Sequence, residues 1–204
     1  MIKGIFFDMC GVISHHGPTM HEIFYNFVKE SISKEDFNER YLKARNGDTG
    51  FYEFTQGLPK EAAEKYIKEI KFHKGAKETL EHFKEKIPMF IVSNHVDKFG
   101  RLEIDNLGIE KYFQKIFISC ETKLVKPSKE LFEKITSETG IKPQEAIFVD
   151  DTKFYLEKAK EFGFVTAWMN NEKDDPRNKI DYKPDYEIKS TDELIQIIEE
   201  LNKK

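Results

Sequence analysis

The chain is predicted to fold as an α/β protein: a mostly parallel sheet flanked by helices, with a small all-helical segment inserted after the first strand. Three observations carry this. Short apolar runs that stop at polar or acidic residues recur at positions 5–8, 89–94 and 146–151, and runs of this length suit strands buried on both faces. From Lys115 onward such runs alternate with helical periodicity, the pattern of right-handed βαβ crossovers. Between about residues 16 and 73, apolar residues recur at helical spacing with no strand pattern among them.

The first strand, Ile5-Phe6-Phe7, runs into Asp8 and then Met9-Cys10-Gly11-Val12-Ile13. That order puts a carboxylate at the carboxyl end of a buried strand, where open α/β sheets bind ligands. Successive helices follow at Phe24, Tyr25, Phe27 and Val28, at Phe37, Tyr41 and Leu42, at Phe51, Tyr52 and Phe54, and at Ala63, Tyr66, Ile67 and Ile70. Ser33 with Asp36 is spaced like a helix start, and Gly47 and Gly50 mark a helix–helix connection. The next strand, Met89-Phe90-Ile91-Val92, stops at Ser93 and Asn94, a hydroxyl and an amide.

After a strand near residues 115–119, Lys126 precedes Pro127, which bends the chain, and Ser128 is a good N-cap. The helix it opens carries Leu131, Phe132 and Ile135 on one face and stops at Gly140. Ala146-Ile147-Phe148-Val149 then ends in Asp150 and Asp151, adjacent like charges that repel unless a cation sits beside them. The helix after Asp151 is expected to turn Phe154, Ala159 and Phe162 inward and to end at Gly163 before a strand over residues 164–169. Residues 170–184 read as a polar surface loop, followed by an edge strand over 186–188. An amphipathic helix over residues 192–201 closes the pattern, with Leu194, Ile195, Ile198 and Leu201 as its stripe.

At 204 residues with 33 basic and 37 acidic side chains, the chain can bury a main domain plus a modest insertion and shows no basic footprint for nucleic acid. No apolar run is long enough to span a bilayer, and the first strand begins so early that no signal peptide is expected. Cys10 and Cys120 are isolated thiols without zinc or disulfide spacing, so a reducing cytoplasm is the expected location. The partner expected is a small molecule bound by a monomer or small homo-oligomer, with neither nucleic acid nor membrane.

Asp8, the strand-end Ser93, Lys126-Pro127 and Asp150-Asp151 occur in an order and spacing that resemble the four motifs of the haloacid dehalogenase-like superfamily. The stretches SCETKLVKPSKELFEKI and IFVDDTKFYLEKAKEFGF look like that superfamily's second half. The resemblance implies a Rossmann-like core over residues 1–15 and 74–204 and a helical cap over residues 16–73 that closes over the site. It further implies that Asp8 is the nucleophile and that Ser93 and Lys126 bind phosphate. Asp8, the backbone oxygen of Cys10, and Asp150 or Asp151 would then hold Mg2+. Asn94 and the cap residue Arg45, placed in the loop before Gly47, are the further substrate contacts expected, and His95 is close enough to approach substrate. His15, His16 and His21 read as solvated histidines, their spacing being irregular for a metal.

Cys10 departs from the pattern, because that position in the superfamily carries a second aspartate that acts as acid and then base. A thiol beside phosphate and carboxylates should stay protonated near neutrality, so it can donate a proton but is a poor base for water. General acid–base catalysis contributes about 10²–10⁴-fold, so a slow enzyme is expected with Asp8 and the metal site intact. The leading expectation is therefore a magnesium-dependent phosphatase of a small phosphorylated metabolite, working through an aspartyl phosphate. A metal-independent haloacid dehalogenase and a catalytically impaired metabolite-binding protein are the alternatives. A phosphonate hydrolase would need a Schiff-base lysine, for which Lys43 and Lys60 are the candidates.

Overall fold

The computed structural model describes residues 1–15, 19–48, 60–172 and 174–203. A six-stranded, all-parallel sheet forms the centre. In chain order the main strands are β1 (Gly4–Phe7), β4 (Met89–Ser93), β5 (Lys115–Ile118), β6 (Ala146–Asp150), β7 (Val165–Met169) and β8 (Tyr186–Ile188). The short strands β2 (Ser14–His15) and β3 (Lys71–Phe72) pair antiparallel outside that sheet. Strand order is β5-β4-β1-β6-β7-β8. The central pair therefore ends in Asp8 and in Asp150-Asp151, which topology brings side by side from opposite ends of the sequence.

Period-two alternation divides the sheet residues between two layers. Phe6, Phe90 and Phe148 face one side, where they meet Leu131, Phe132 and Ile135 of one helix and Leu156 and Ala159 of the next. Phe6 stacks on Phe90 at 4.7 Å between ring centroids and meets Phe164 edge-on at 5.5 Å. Such pairs contribute about 0.5–1.5 kcal/mol each beyond area burial, so this aromatic layer stabilises the strands that end in Asp8 and Asp150. Ile5, Phe7, Ile91, Ile147 and Val149 face the other side and pack on Leu80, Leu194 and Ile198.

The flanking helices among the described residues are α4 (Ala76–Phe83), α5 (Asp97–Leu107), α6 (Ser119–Thr122), α7 (Lys129–Thr139), α8 (Lys153–Phe162) and α9 (Glu193–Lys203). Ser128 caps α7 by accepting from the Leu131 amide, as its sequence position predicts. In α8 the expected inward face holds at Ala159 and at Phe162, which packs half-buried against the same cluster, and fails at Phe154. Tyr155, Leu156 and Ala159 are buried while Phe154 is 37% exposed, because only the first set lies on the side of the helix that meets the sheet.

Between β2 and β3 come α1 (Met20–Val28), α2 (Lys34–Asn46) and α3 (Lys60–Glu69). Thr19 and Glu22 form a reciprocal capping box on α1, and Ser33 accepts from the Asp36 amide at the start of α2. Phe24, Phe37 and Tyr66 of these helices pack with Val96 and Phe99 in a third apolar cluster. Strand β3 corrects the expectation that the region is wholly helical: two residues suffice to pair Ser14 with Phe72 and His15 with Lys71. Arg45 lies in the last turn of α2, not in a loop, because the helix continues to Asn46 before Gly47 ends it at φ 76°. His16, Gly50 and the expected helix at Phe51, Tyr52 and Phe54 lie outside the described residues, as does the side chain of Lys60. No helix among the described residues is long and apolar enough to cross a membrane.

Candidate active site

The carboxyl ends of β1, β4 and β6 open into a cavity of about 190 Å³ lined by Asp8, Cys10, Ser93, Lys126 and Asp151, with Tyr41, Arg45 and Tyr66 reaching it from the helical segment. Lys126 is the hub of its floor. Its Nζ lies 2.8 Å from an Asp8 carboxylate oxygen and 2.6 Å from Asp150 Oδ2, with the ammonium almost wholly buried. Burial alone would drive this lysine toward the neutral form, but Asp150 and Asp8 outweigh it and hold its pKa above the ordinary lysine value. The ammonium also stands 5.4 Å from the centre of the Tyr155 ring.

Asp150 has the opposite balance. Complete burial pushes its pKa up to about 7, with Asp8 and Asp151 adding repulsion that Lys126 only partly offsets. Its Oδ1 accepts from the Thr152 amide at 2.8 Å and its Oδ2 is held by Lys126, whereas Asp151 reaches the cavity wall. Asn171 Nδ2 donates to Asp151 Oδ2 at 2.9 Å, and the Asp151 carbonyl accepts from Trp168 and Asn178. Gly11 permits this crowding. It sits at φ +86°, and a β-carbon there would overlap the Asp151 carboxylate.

Asp8, Asp150 and Asp151 each place a carboxylate oxygen within 4.8 Å of the others. If all three ionise, Lys126 leaves two negative charges uncompensated, and an all-oxygen donor set of that charge fits a hard divalent ion such as magnesium. Ser93 is buried at the end of β4 and lines the cavity. Asn94 lines it as well, but its amide is paired with the backbone of Lys126, donating to the carbonyl at 3.0 Å and accepting from the amide at 2.7 Å. That pairing ties the loop after β4 to the segment carrying Lys126.

Away from the floor, the wall is built around Glu103, a fully buried carboxylate on α5. Tyr66 donates to its Oε2 at 2.8 Å, His95 Nε2 lies 3.1 Å from the same oxygen, and the Cys10 thiol donates to it at 3.7 Å. Burial pushes the Glu103 carboxyl up, but hydrogen bonds from His95, Ser14 and Tyr66 outweigh it and hold the pKa below the ordinary glutamate value. Tyr66 is pushed well above its usual value by burial and by the neighbouring carboxylate, so it stays a donor. Nothing in the spacing of the sequence identifies Glu103. It is one acid among 37, and only its total burial distinguishes it.

Arg45 and Arg177 converge on the rim. Each donates to the Tyr155 hydroxyl at 2.9 Å, and Arg177 also pairs with Asp175. Arg45 Nε is buried without a hydrogen-bond partner. Arg177 comes from the segment expected to be a surface loop. A cation in a polar, turn-rich stretch has no periodicity to betray that it folds back onto the site. Of the other residues considered, His15 is exposed, His21 contacts Asn38 at 2.6 Å, and Lys43 pairs with Glu39 on an exposed helix face.

The parallel sheet thus brings paired acids and a strand-end aspartate together around a buried lysine. The family model for haloacid dehalogenase-like hydrolases matches residues 5–169, and the chain belongs to that family. Among curated proteins it is 36% identical over 104 residues to a glyceraldehyde 3-phosphate phosphatase of Methanopyrus kandleri, covering 48% of this chain and 43% of that protein. It is 25% identical over 130 residues to an (S)-2-haloacid dehalogenase of Pseudomonas, covering 63% and 56% respectively. The chain thus spans about half the length of these curated relatives. A phosphatase of the same family from Thermococcus onnurineus superposes with a TM-score of 0.74 at 24% identity, over 97% of this chain and 98% of that one.

Proposed function

We propose that the chain is a magnesium-dependent phosphatase acting on a small phosphorylated metabolite through a phosphoryl-Asp8 intermediate. The observation that carries this reading is the gathering of Asp8, Asp150 and Asp151 around buried Lys126. Displacement of halide from carbon does not need a metal-binding acid pair, so the same observation weighs against the dehalogenase reading that the Pseudomonas relative raises. The likeness to the Methanopyrus glyceraldehyde 3-phosphate phosphatase supports the choice.

In this reading residues 1–15 and 74–204 form the core and residues 16–73 a cap, the β2–β3 pair marking where the chain leaves and re-enters. Asp8 attacks phosphorus in line, and Lys126 holds the Asp8 carboxylate in place while adding positive charge beside the phosphoryl group. Ser93 donates to a phosphoryl oxygen, and Asn94 keeps Lys126 in register. Bound magnesium, held by Asp8, Asp151 and the Cys10 carbonyl, would neutralise the phosphoryl oxygens. Asp150 anchors Lys126 from below. On the rim, Arg45 with its unpartnered Nε offers a substrate anion a desolvated donor, and Arg177 stands beside it. Cys10 supplies a proton donor but a poor base, so hydrolysis of the aspartyl phosphate is the slow step. The compartment in this reading is the cytoplasm, and the working unit is a monomer or small homo-oligomer.

Screening phosphate esters and haloacids with and without magnesium tests the proposal. Metal-dependent phosphate release is expected. Metal-independent halide release would replace this reading with the dehalogenase, and tight metabolite binding without turnover would replace it with the binding protein.

A further inference from the structure

We propose that Cys10, His95 and Glu103 form a second metal site, selective for a borderline transition ion such as zinc and distinct from the carboxylate floor. Cys10 Sγ, His95 Nε2 and a Glu103 oxygen all lie within 4.8 Å of one another. Zinc bonds of about 2.3 Å to sulfur and about 2.0–2.2 Å to nitrogen and oxygen imply tetrahedral edges of about 3.3–3.5 Å. The observed edges are 3.1 Å from His95 Nε2 to Glu103 Oε2 and 3.7 Å from Cys10 Sγ to the same oxygen. The third edge, from Cys10 Sγ to His95 Nε2, lies within 4.8 Å, so the thiol would move toward the ring to close the three atoms around an ion.

Two outer contacts have the form that supports metal ligands. His95 Nδ1 lies 3.3 Å from the Val96 carbonyl, which orients the ring with Nε2 toward the cluster. Tyr66 donates to the Glu103 carboxylate at 2.8 Å. Both ring nitrogens of His95 therefore face acceptors. The Tyr66 hydroxyl lies 3.4 Å from the same Nε2, so a bound cation would replace hydrogen-bonded contacts that this nitrogen already makes. The donor set decides which ion would enter: thiolate and imidazole favour zinc over magnesium, whereas the floor offers oxygen alone. Cys10, His95 and Tyr66 also line the cavity, so the cluster has a route of entry. Binding converts the Cys10 thiol to a thiolate, releasing its proton to solvent and withdrawing the proton donor that the proposed reaction uses, so the metal-loaded form is an inhibited one.

The site is tested without reference to turnover by titrating the whole protein with cobalt(II) in excess magnesium, then displacing the cobalt with zinc. One equivalent should bind with a thiolate-to-cobalt charge-transfer band and the intense visible bands of a tetrahedral centre. Cys10→Ser should abolish the charge-transfer band. His95→Gln should weaken binding by at least about tenfold. Asp151→Asn should leave the spectrum unchanged. Cobalt binding without a thiolate band, a band that survives Cys10→Ser, or a band lost in Asp151→Asn would overturn the proposal and leave His95 and Glu103 as a hydrogen-bonded pair. Cys10→Ser exchanges one atom, so its result decides the matter even if His95→Gln fails to fold.

Discussion

The floor and the wall of the cavity both bury carboxylates, and they compensate the charge in different ways. On the floor, Lys126 lies between Asp8 and Asp150 with Asp151 alongside, and charge balance is left for a divalent ion to complete. On the wall, Glu103 is held by Tyr66, His95 and Cys10, donors that satisfy a carboxylate through hydrogen bonds and at most one imidazolium. The floor lacks a cation to balance its charge, whereas the wall already pairs its carboxylate with donors that an entering metal would displace, and it ties the helical segment to the sheet through Tyr66. Cys10 stands where the two meet. Its backbone belongs to the proposed magnesium site and its side chain to the wall.

The largest expected effect comes from the floor. Asp8→Asn keeps the shape and removes the nucleophile, so turnover should fall by at least about 10³-fold while the thermal midpoint stays near that of the parent. Comparable activity with unchanged metal dependence would remove Asp8 from its proposed role. Lys126→Met leaves two buried carboxylates without their cation and should cost about 3–5 kcal/mol in denaturant unfolding. A loss under about 1 kcal/mol would mean that the floor tolerates its charge without the lysine.

Where floor and wall meet, Cys10→Asp restores a carboxylate and should raise turnover by about 10²-fold, measured as steady-state phosphate release. Glu103, next to the parent thiol, would face this new carboxylate and raise its pKa, which suits it to protonating a leaving group. With an aryl phosphate the parent should show a burst of product followed by slow release, and the variant should show none. No gain on substitution would locate the limit elsewhere.

On the wall, Tyr66→Phe removes one donor from buried Glu103 and should cost about 1–3 kcal/mol in urea unfolding. The smallest effect expected is a pH dependence of the metal-free floor. Asp150 is raised from the model-peptide value of 3.8 to about 7, so its contribution to stability is fully present below pH 3.8 and is lost as pH rises through 7. Between pH 6 and 7 that loss should amount to about 1 kcal/mol in chelator, and magnesium should diminish it. A stability that is flat across this interval without metal would mean that Asp150 is already ionised.

Local order and strand-end position were legible in the sequence. Apolar runs reveal strands because burial on both faces leaves no room for polar residues, and the residue that breaks each run marks the ligand end of the sheet. Asp8, Ser93 and Asp150 stand out for that reason, and the helix starts at Ser33 and Ser128 follow from capping chemistry between near neighbours. Ala159 and Phe162 of α8 pack inward as expected, but Phe154 faces out, because Phe154 and Tyr155 are adjacent aromatics, either of which could face inward until the sheet is in place. Arg177 and Glu103 were not legible. Their roles come from contacts with residues far away in the chain, such as Arg177 with Tyr155 and Glu103 with Cys10, 93 positions earlier.

The sequence alone determined the α/β class, the helical insertion and the residues that end its central strands, because these depend on periodicity and on chemistry between near neighbours. Only the tertiary structure decided that Lys126 would be buried between two carboxylates, that Cys10 would lie against Glu103 and His95, and that Arg45 and Arg177 would share Tyr155. Those facts depend on which distant groups share a desolvated space, where charge pairing and burial act over a few ångströms and sequence separation has no bearing.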